Sequence, residues 1–139
     1  MKAKNILILG LFIILGFAAC KKDITSNGPS SQADSTRNDY VGSWACTEIP
    51  VAKNLNFDCT ISIDANTETN IKIANFANLN SNAYAIVSAK SVILPKQILS
   101  GNTVEGYATM ENINFIRWHY YVKDNTDSMA YNTTFNRKP

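Results

Sequence analysis

Phe115-Ile116-Arg117-Trp118-His119-Tyr120-Tyr121-Val122-Lys123 alternates without a break: Ile116, Trp118, Tyr120 and Val122 fall on one side, and Phe115, Arg117, His119, Tyr121 and Lys123 on the other. Successive side chains of an extended chain point to opposite faces, so a period of two sends the first set into a core and the second toward water. The same period governs Phe57, Cys59, Ile61 and Ile63, interleaved with Asp58, Thr60, Ser62 and Asp64. Ile71 and Ile73 repeat it among Asn70, Lys72 and Ala74. No amphipathic helix of four turns can be drawn after residue 40. Turn-forming clusters separate the runs: Asp64-Ala65-Asn66-Thr67, Asn78 to Asn82, Ser100-Gly101-Asn102, Glu111-Asn112 and Asp124-Asn125-Thr126-Asp127. Strands are expected over residues 40–49, 57–64, 69–76, 83–89, 91–95, 103–110, 113–123 and 128–136. Short polar turns between them imply an all-β fold, a small antiparallel meander β-barrel of about eight strands. Pro95 and the Lys96-Gln97-Ile98-Leu99 stretch predict a bulge or irregular crossing. Tyr40, Trp44, Phe57, Phe76, Ile116, Trp118 and Tyr120 are enough large inward residues to fill so small a barrel.

The 139-residue chain divides into three parts. Residues 1–19 read as a signal peptide: Lys2 and Lys4 precede an apolar run from Ile6 to Ala19, which is shorter than the roughly 20 residues a bilayer span needs. It ends in Phe17-Ala18-Ala19-Cys20, which resembles a bacterial lipobox with Phe17 where Leu is commonest. The resemblance implies that Cys20 is diacylated and becomes the new N-terminus. Acyl chains hold a protein on a membrane without a transmembrane helix. Lys21 follows the cysteine in place of Asp, which points to the outer membrane. Residues 20–39 carry Ser26, Asn27, Gly28, Pro29, Ser30, Ser31 and Gln32 and little to bury, so they read as a lipid-anchored flexible linker with a reach of about 25 Å. Residues 40–139 form the barrel domain. With Lys2 and Lys4 removed, the 13 basic residues fall to 11 against 11 acidic ones. A neutral chain without a basic stripe argues against nucleic acid as a partner.

Tyr40-Val41-Gly42-Ser43-Trp44 opens the domain with a Gly-x-Trp that resembles the lipocalin (calycin) signature. Asn75-Phe76-Ala77-Asn78-Leu79, then Val92-Ile93-Leu94-Pro95-Lys96-Gln97, then Tyr120-Tyr121-Val122-Lys123-Asp124 follow in order. Together they resemble the small lipocalin-like lipoproteins of Bacteroidetes. That resemblance implies a lipid-anchored β-barrel with no established activity. A cysteine often found in the last strand of that group is absent here, near Met129, so no disulfide is carried over from it.

Catalytic and cofactor chemistry finds little support. His119 is the single histidine, and a zinc site needs about three protein ligands even when catalytic. No Gly-x-Ser-x-Gly, phosphate-binding loop or His-Glu-x-x-His occurs. Asp58 and Asp64 share one strand face but read as solvated carboxylates. The expectation is a non-enzyme without metal or cofactor. The one polar-aromatic surface is the Arg117, His119, Tyr121 and Lys123 stripe, extended by Tyr84 and Tyr107; it reads first as a solvated sheet face, and as a functional surface it suits a glycan or an acidic group on a protein partner. Asp34-Ser35-Thr36 and Asp127-Ser128-Met129 resemble the O-glycosylation signal of Bacteroidetes, with Ser35 in the linker the better candidate. Cys46 and Cys59 lie on the inward parity of adjacent strands of an exported domain, where disulfides persist. A register pairing 46 with 59 and 44 with 61 brings them together, and two buried free thiols are the alternative. The functional readings are a binding module for a small ligand, glycan or protein; an inhibitor or interaction lipoprotein of the lysozyme-inhibitor type, using a loop over residues 50–56; and a structural envelope protein.

Overall fold

The computed structural model describes residues 36–49 and 55–139. Cys20 and Ser35 lie outside the described residues, as does most of the 50–56 loop; Leu55 and Asn56 of that loop belong to a strand. Eight strands follow in chain order: β1 (Gly42–Ile49), β2 (Leu55–Ile63), β3 (Asn70–Ala74), β4 (Ala83–Ser88), β5 (Ser91–Leu99), β6 (Asn102–Asn112), β7 (Phe115–Lys123) and β8 (Ser128–Arg137). Each pairs antiparallel with the next, and β1 pairs with β8, which closes the barrel. Closure leaves no open sheet edge.

Alternation sorts the side chains as the sequence requires. Trp44, Cys46, Cys59, Ile61, Ile71, Ile73, Val92, Leu94, Ile116, Trp118, Tyr120 and Phe135 are buried inside. Phe76 is not at the end of a strand. The chain leaves β3 through left-handed Asn75 (φ 58°) into a 3-10 turn, Phe76–Asn78, which folds the Phe76 ring into the lumen. There it lies 5.2 Å from Trp118 and 4.8 Å from Tyr120, centroid to centroid. The lumen is therefore packed with rings from its N-terminal end to the level of Phe76.

β5 runs four residues past its expected end because a bulge between Leu94 and Gln97 absorbs Pro95. Gln97 then replaces the missing ladder bonds with its own amide. Its Oε1 accepts from Tyr84 N at 3.0 Å, and its Nε2 donates to Tyr84 O at 2.9 Å and Pro95 O at 3.0 Å.

One end of the barrel is locked by Arg137. Its Nε donates to Ile113 O at 2.8 Å, its Nη1 to Val41 O at 2.6 Å, and its Nη2 to Asp39 O. The guanidinium lies 4.3 Å over the Trp44 ring, whose Nε1 donates to Tyr40 O at 3.0 Å. Gly42 (φ +141°) makes this possible, since a Cβ there would stand 2.7 Å from Arg137 Nη1. Residues 36–39, assigned to the linker from sequence, pack on this same end. Arg37 is buried and donates through Nη1 to Asp64 O, Thr67 O and Asn70 O, which ties the β2–β3 turn to the start of the domain.

The expected β1–β2 register is corrected by two residues: Trp44 faces Cys59 and Cys46 faces Phe57. A slip of two keeps every inward residue inward, so hydrophobic alternation does not distinguish the two registers. Cys46 and Cys59 are consequently diagonal neighbours and are both free, buried thiols rather than a disulfide. Cys46 Sγ donates to Trp44 O at 3.6 Å and Cys59 Sγ to Asn75 O at 3.3 Å. Burial pushes the Cys46 thiol well above its ordinary value, and the neighbouring Cys59 thiol adds to the shift. In a Cys20→Ser chain, both thiols should resist alkylation in the folded protein and both should react in denaturant without reductant. Mass spectrometry showing neither modified would establish the bond instead.

Candidate functional site

Arg117, His119, Tyr121 and Lys123 all point outward from β7, as the alternation demands. The structure does not treat them as one site. Arg117 is committed to the β6–β7 hairpin, with its Nε 2.7 Å from Glu111 Oε1 and its guanidinium 5.4 Å from the Phe115 ring centroid. His119 stands across from Tyr107 on β6 and Asn132 on β8. Its imidazole stacks on the Tyr107 ring at 5.1 Å and 29°. A shallow depression of about 130 Å³ is lined by Tyr107, His119, Tyr121, Ala130 and Asn132, with Tyr120 and Tyr131 beneath. Ile93 on β5 pairs with Tyr107 and continues the surface. Ile93, Tyr107 and Tyr121 are 55%, 56% and 54% exposed, so three large side chains on adjacent strands lie open together. Such a contiguous patch marks an interaction site more often than scattered exposed residues do. Tyr84 does not join it. It sits on β4, two strands from Tyr107, with β5 between them.

A larger cleft of about 350 Å³ lies at the Arg137 end, among Thr36, Asp39, Ala89, Lys90, Met110, Asn112 and Ile113. It is a packing crevice beside the helical turn at residues 36–38, and its described lining brings together no constellation of reactive groups. The expected solvated pair, Asp58 and Asp64, is not a pair. Asp58 is exposed and bonds Lys138 Nζ at 2.8 Å. β2 ends at Ile63, and Asp64 turns inward to cap the next turn, accepting from Asn66 N at 3.1 Å. That backbone hydrogen bond, with Lys72 3.6 Å away, holds its carboxyl below the usual carboxylate range. Among the described residues, no three His, Cys, Asp or Glu side chains gather as metal ligands, and no helix is long and apolar enough to cross a membrane.

The interior holds a polar group that the sequence reading passed over. Glu48 occupies an inward position of β1 and is only 5% exposed. Tyr120 donates its hydroxyl proton to Glu48 Oε1, and Thr133 Oγ1 donates to Tyr120 Oη at 3.2 Å. Glu48 was legible as the one charged residue in the inward series 42, 44, 46, 48. Burial raises its pKa, and the Tyr120 hydrogen bond only partly offsets this. A raised folded-state pKa makes stability greatest at low pH, where both states hold the proton. Stability is then lost as pH climbs from the unfolded value, about 4.3, through the folded one. Glu48→Gln should therefore raise stability at pH 7 by about 1 kcal/mol and flatten this part of the pH profile in urea melts. An unchanged slope would show that Glu48 is not the group responsible.

No protein-family model matches the chain, and no curated protein sequence does. Solved structures do match its fold. A redesigned β-barrel superposes with a TM-score of 0.58 at 8% identity, covering 75% of this chain and 96% of that one. The EF1p2_mFAP2b barrel bound to DFHBI superposes with a TM-score of 0.55 at 10% identity, covering 74% and 97%. At such identities the likeness is one of fold: a closed antiparallel β-barrel.

Proposed function

We propose that this chain is a non-catalytic, lipid-anchored lipoprotein of the outer membrane, akin to the small lipocalin-like lipoproteins of Bacteroidetes, and that it binds a glycan on its outer β5–β7 face. The observation that carries the reading is the exposed, stacked Tyr107–His119 pair beside Tyr121, over a barrel whose lumen is already filled by rings. Flat ring faces pack against the C–H face of a pyranose, and the Asn132 amide and His119 imidazole stand where hydroxyl groups would need partners. Anchoring rests on Cys20 at the end of the apolar run. A binding module fits a fold that a solved relative in shape uses to hold DFHBI.

The experiment is co-sedimentation of the detergent-solubilised protein with insoluble envelope polysaccharide. The wild-type chain should be retained, and Tyr107→Ala combined with Tyr121→Ala should lose at least tenfold in affinity with an unchanged melt. Equal retention of the two would overturn the assignment. In the same cells, Cys20→Ser should abolish fatty-acid incorporation and release the protein from membranes.

A further inference from the structure

The outer face beside the stacked Tyr107–His119 pair is not smooth. Residues paired directly across an antiparallel ladder share a face, so His119 stands beside Tyr107 on one side and Asn132 on the other, and Tyr121 stands beside Ala130. His119, Tyr121, Ala130 and Asn132 are therefore the corners of one square on the β7–β8 ladder. A ring or an amide occupies every corner but Ala130, which has only a methyl. The missing bulk there opens the depression of about 130 Å³, with Tyr120 and Tyr131 beneath. That is the share of roughly four water molecules, room for one short substituent of a sugar ring.

The walls select which substituent. Tyr107, His119 and Tyr121 supply ring surface, Ala130 a methyl, and Asn132 an amide that both donates and accepts. A hydroxyl group placed among these rings would lose water for a single partner. An acetamido group fits better: its methyl fills the space over Ala130, its planar amide lies against a ring, and its N–H and C=O face Asn132. The competing occupant is a free ammonium, because Glu105 of β6 is exposed and stands directly across from Tyr121. We propose that this depression is an acetamido pocket and that the bound glycan is built from N-acetylated hexosamines. The assignment rests on the glycan reading above and names the sugar class that it leaves open.

The test is calorimetric titration of the detergent-solubilised full chain with β-1,4-linked trimers that differ at C2: tri-N-acetylchitotriose with acetamido groups, chitotriose with amines and cellotriose with hydroxyls. The N-acetylated trimer should bind at least tenfold tighter than cellotriose, which one buried methyl and one amide hydrogen bond suffice to supply. Ala130→Val suits an exposed strand position and fills the depression. It should bring the N-acetylated trimer down to the affinity of cellotriose and change cellotriose less than twofold. Asn132→Leu keeps the shape and removes the amide, and should weaken the N-acetylated trimer several-fold more than cellotriose. Equal binding of these two trimers by the wild-type protein overturns the acetamido pocket and leaves the glycan reading standing, whether or not either variant folds. Tightest binding of chitotriose transfers recognition to Glu105 and overturns the pocket too, as does an undiminished preference in Ala130→Val. If no trimer binds at millimolar concentration the pocket is overturned, and the glycan reading falls with it only if envelope polysaccharide also fails to retain the protein.

Discussion

Gly106→Ala should cost the domain about 3 kcal/mol or more, a fall in Tm of roughly 15 °C for a domain of this size. Gly106 lies on the inward side of β6 directly opposite Tyr120 of β7. A Cβ placed there would stand 2.3 Å from His119 O and 2.6 Å from both Cα and Cβ of Tyr120. No side-chain rotation relieves those contacts, since two of the three atoms are backbone. The β6–β7 ladder would have to part at mid-length, and Tyr120 carries the contacts to Phe76, Glu48 and Thr133. A small domain has about 5–15 kcal/mol of stability in total, so the loss would be plain in a thermal melt. A change under 1 kcal/mol would mean that β6 and β7 do not approach so closely.

Trp44→Ala should cost about 3–5 kcal/mol, the range for truncating a large buried ring. Trp44 is fully buried, and its removal also takes away the Nε1 hydrogen bond to Tyr40 O and the surface on which the Arg137 guanidinium lies. Arg137→Met should cost less, about 1–2 kcal/mol, because water can reach the carbonyls of Ile113, Val41 and Asp39 once the guanidinium is gone. The two changes should not add. Residues in contact couple by about 0.5–3 kcal/mol, so the double variant should be less destabilised than the sum of the singles. Strict additivity in urea melts would show that Arg137 does not act through Trp44.

Alternation made the eight strands readable, because each is buried on one face and wet on the other. What it left unread has physical reasons. The β1–β2 register slipped by two because period-two burial is identical in both registers, so the expected 46–59 pairing placed diagonal neighbours face to face. Phe76 was read into a strand because an apolar ring after Ile71 and Ile73 fits the pattern; its route into the lumen depends on a left-handed Asn75, a local turn choice. Arg137 carries no sequence signal of its role, and only the closed barrel brings it over Trp44. Glu48 and Gly106 did leave a signal. Each breaks an inward series of apolar residues, and each sits where the structure has a special use for it. Of the outward stripe, His119 and Tyr121 proved to lie in the aromatic surface, Tyr107 extends it and Tyr84 does not, because strand order decides which outward residues are neighbours.

The proposed glycan site lies on the outside of the barrel, on the β5–β7 face. Its most direct test is a chemical-shift titration of the isotope-labelled chain with soluble fragments of envelope glycan. Saturable shifts are expected, confined to Ile93, Tyr107, His119, Tyr121 and Asn132, with the resonances of Trp118, Phe76 and Glu48 unmoved. Shifts centred on those lumen residues, or no shifts at millimolar glycan, would contradict it.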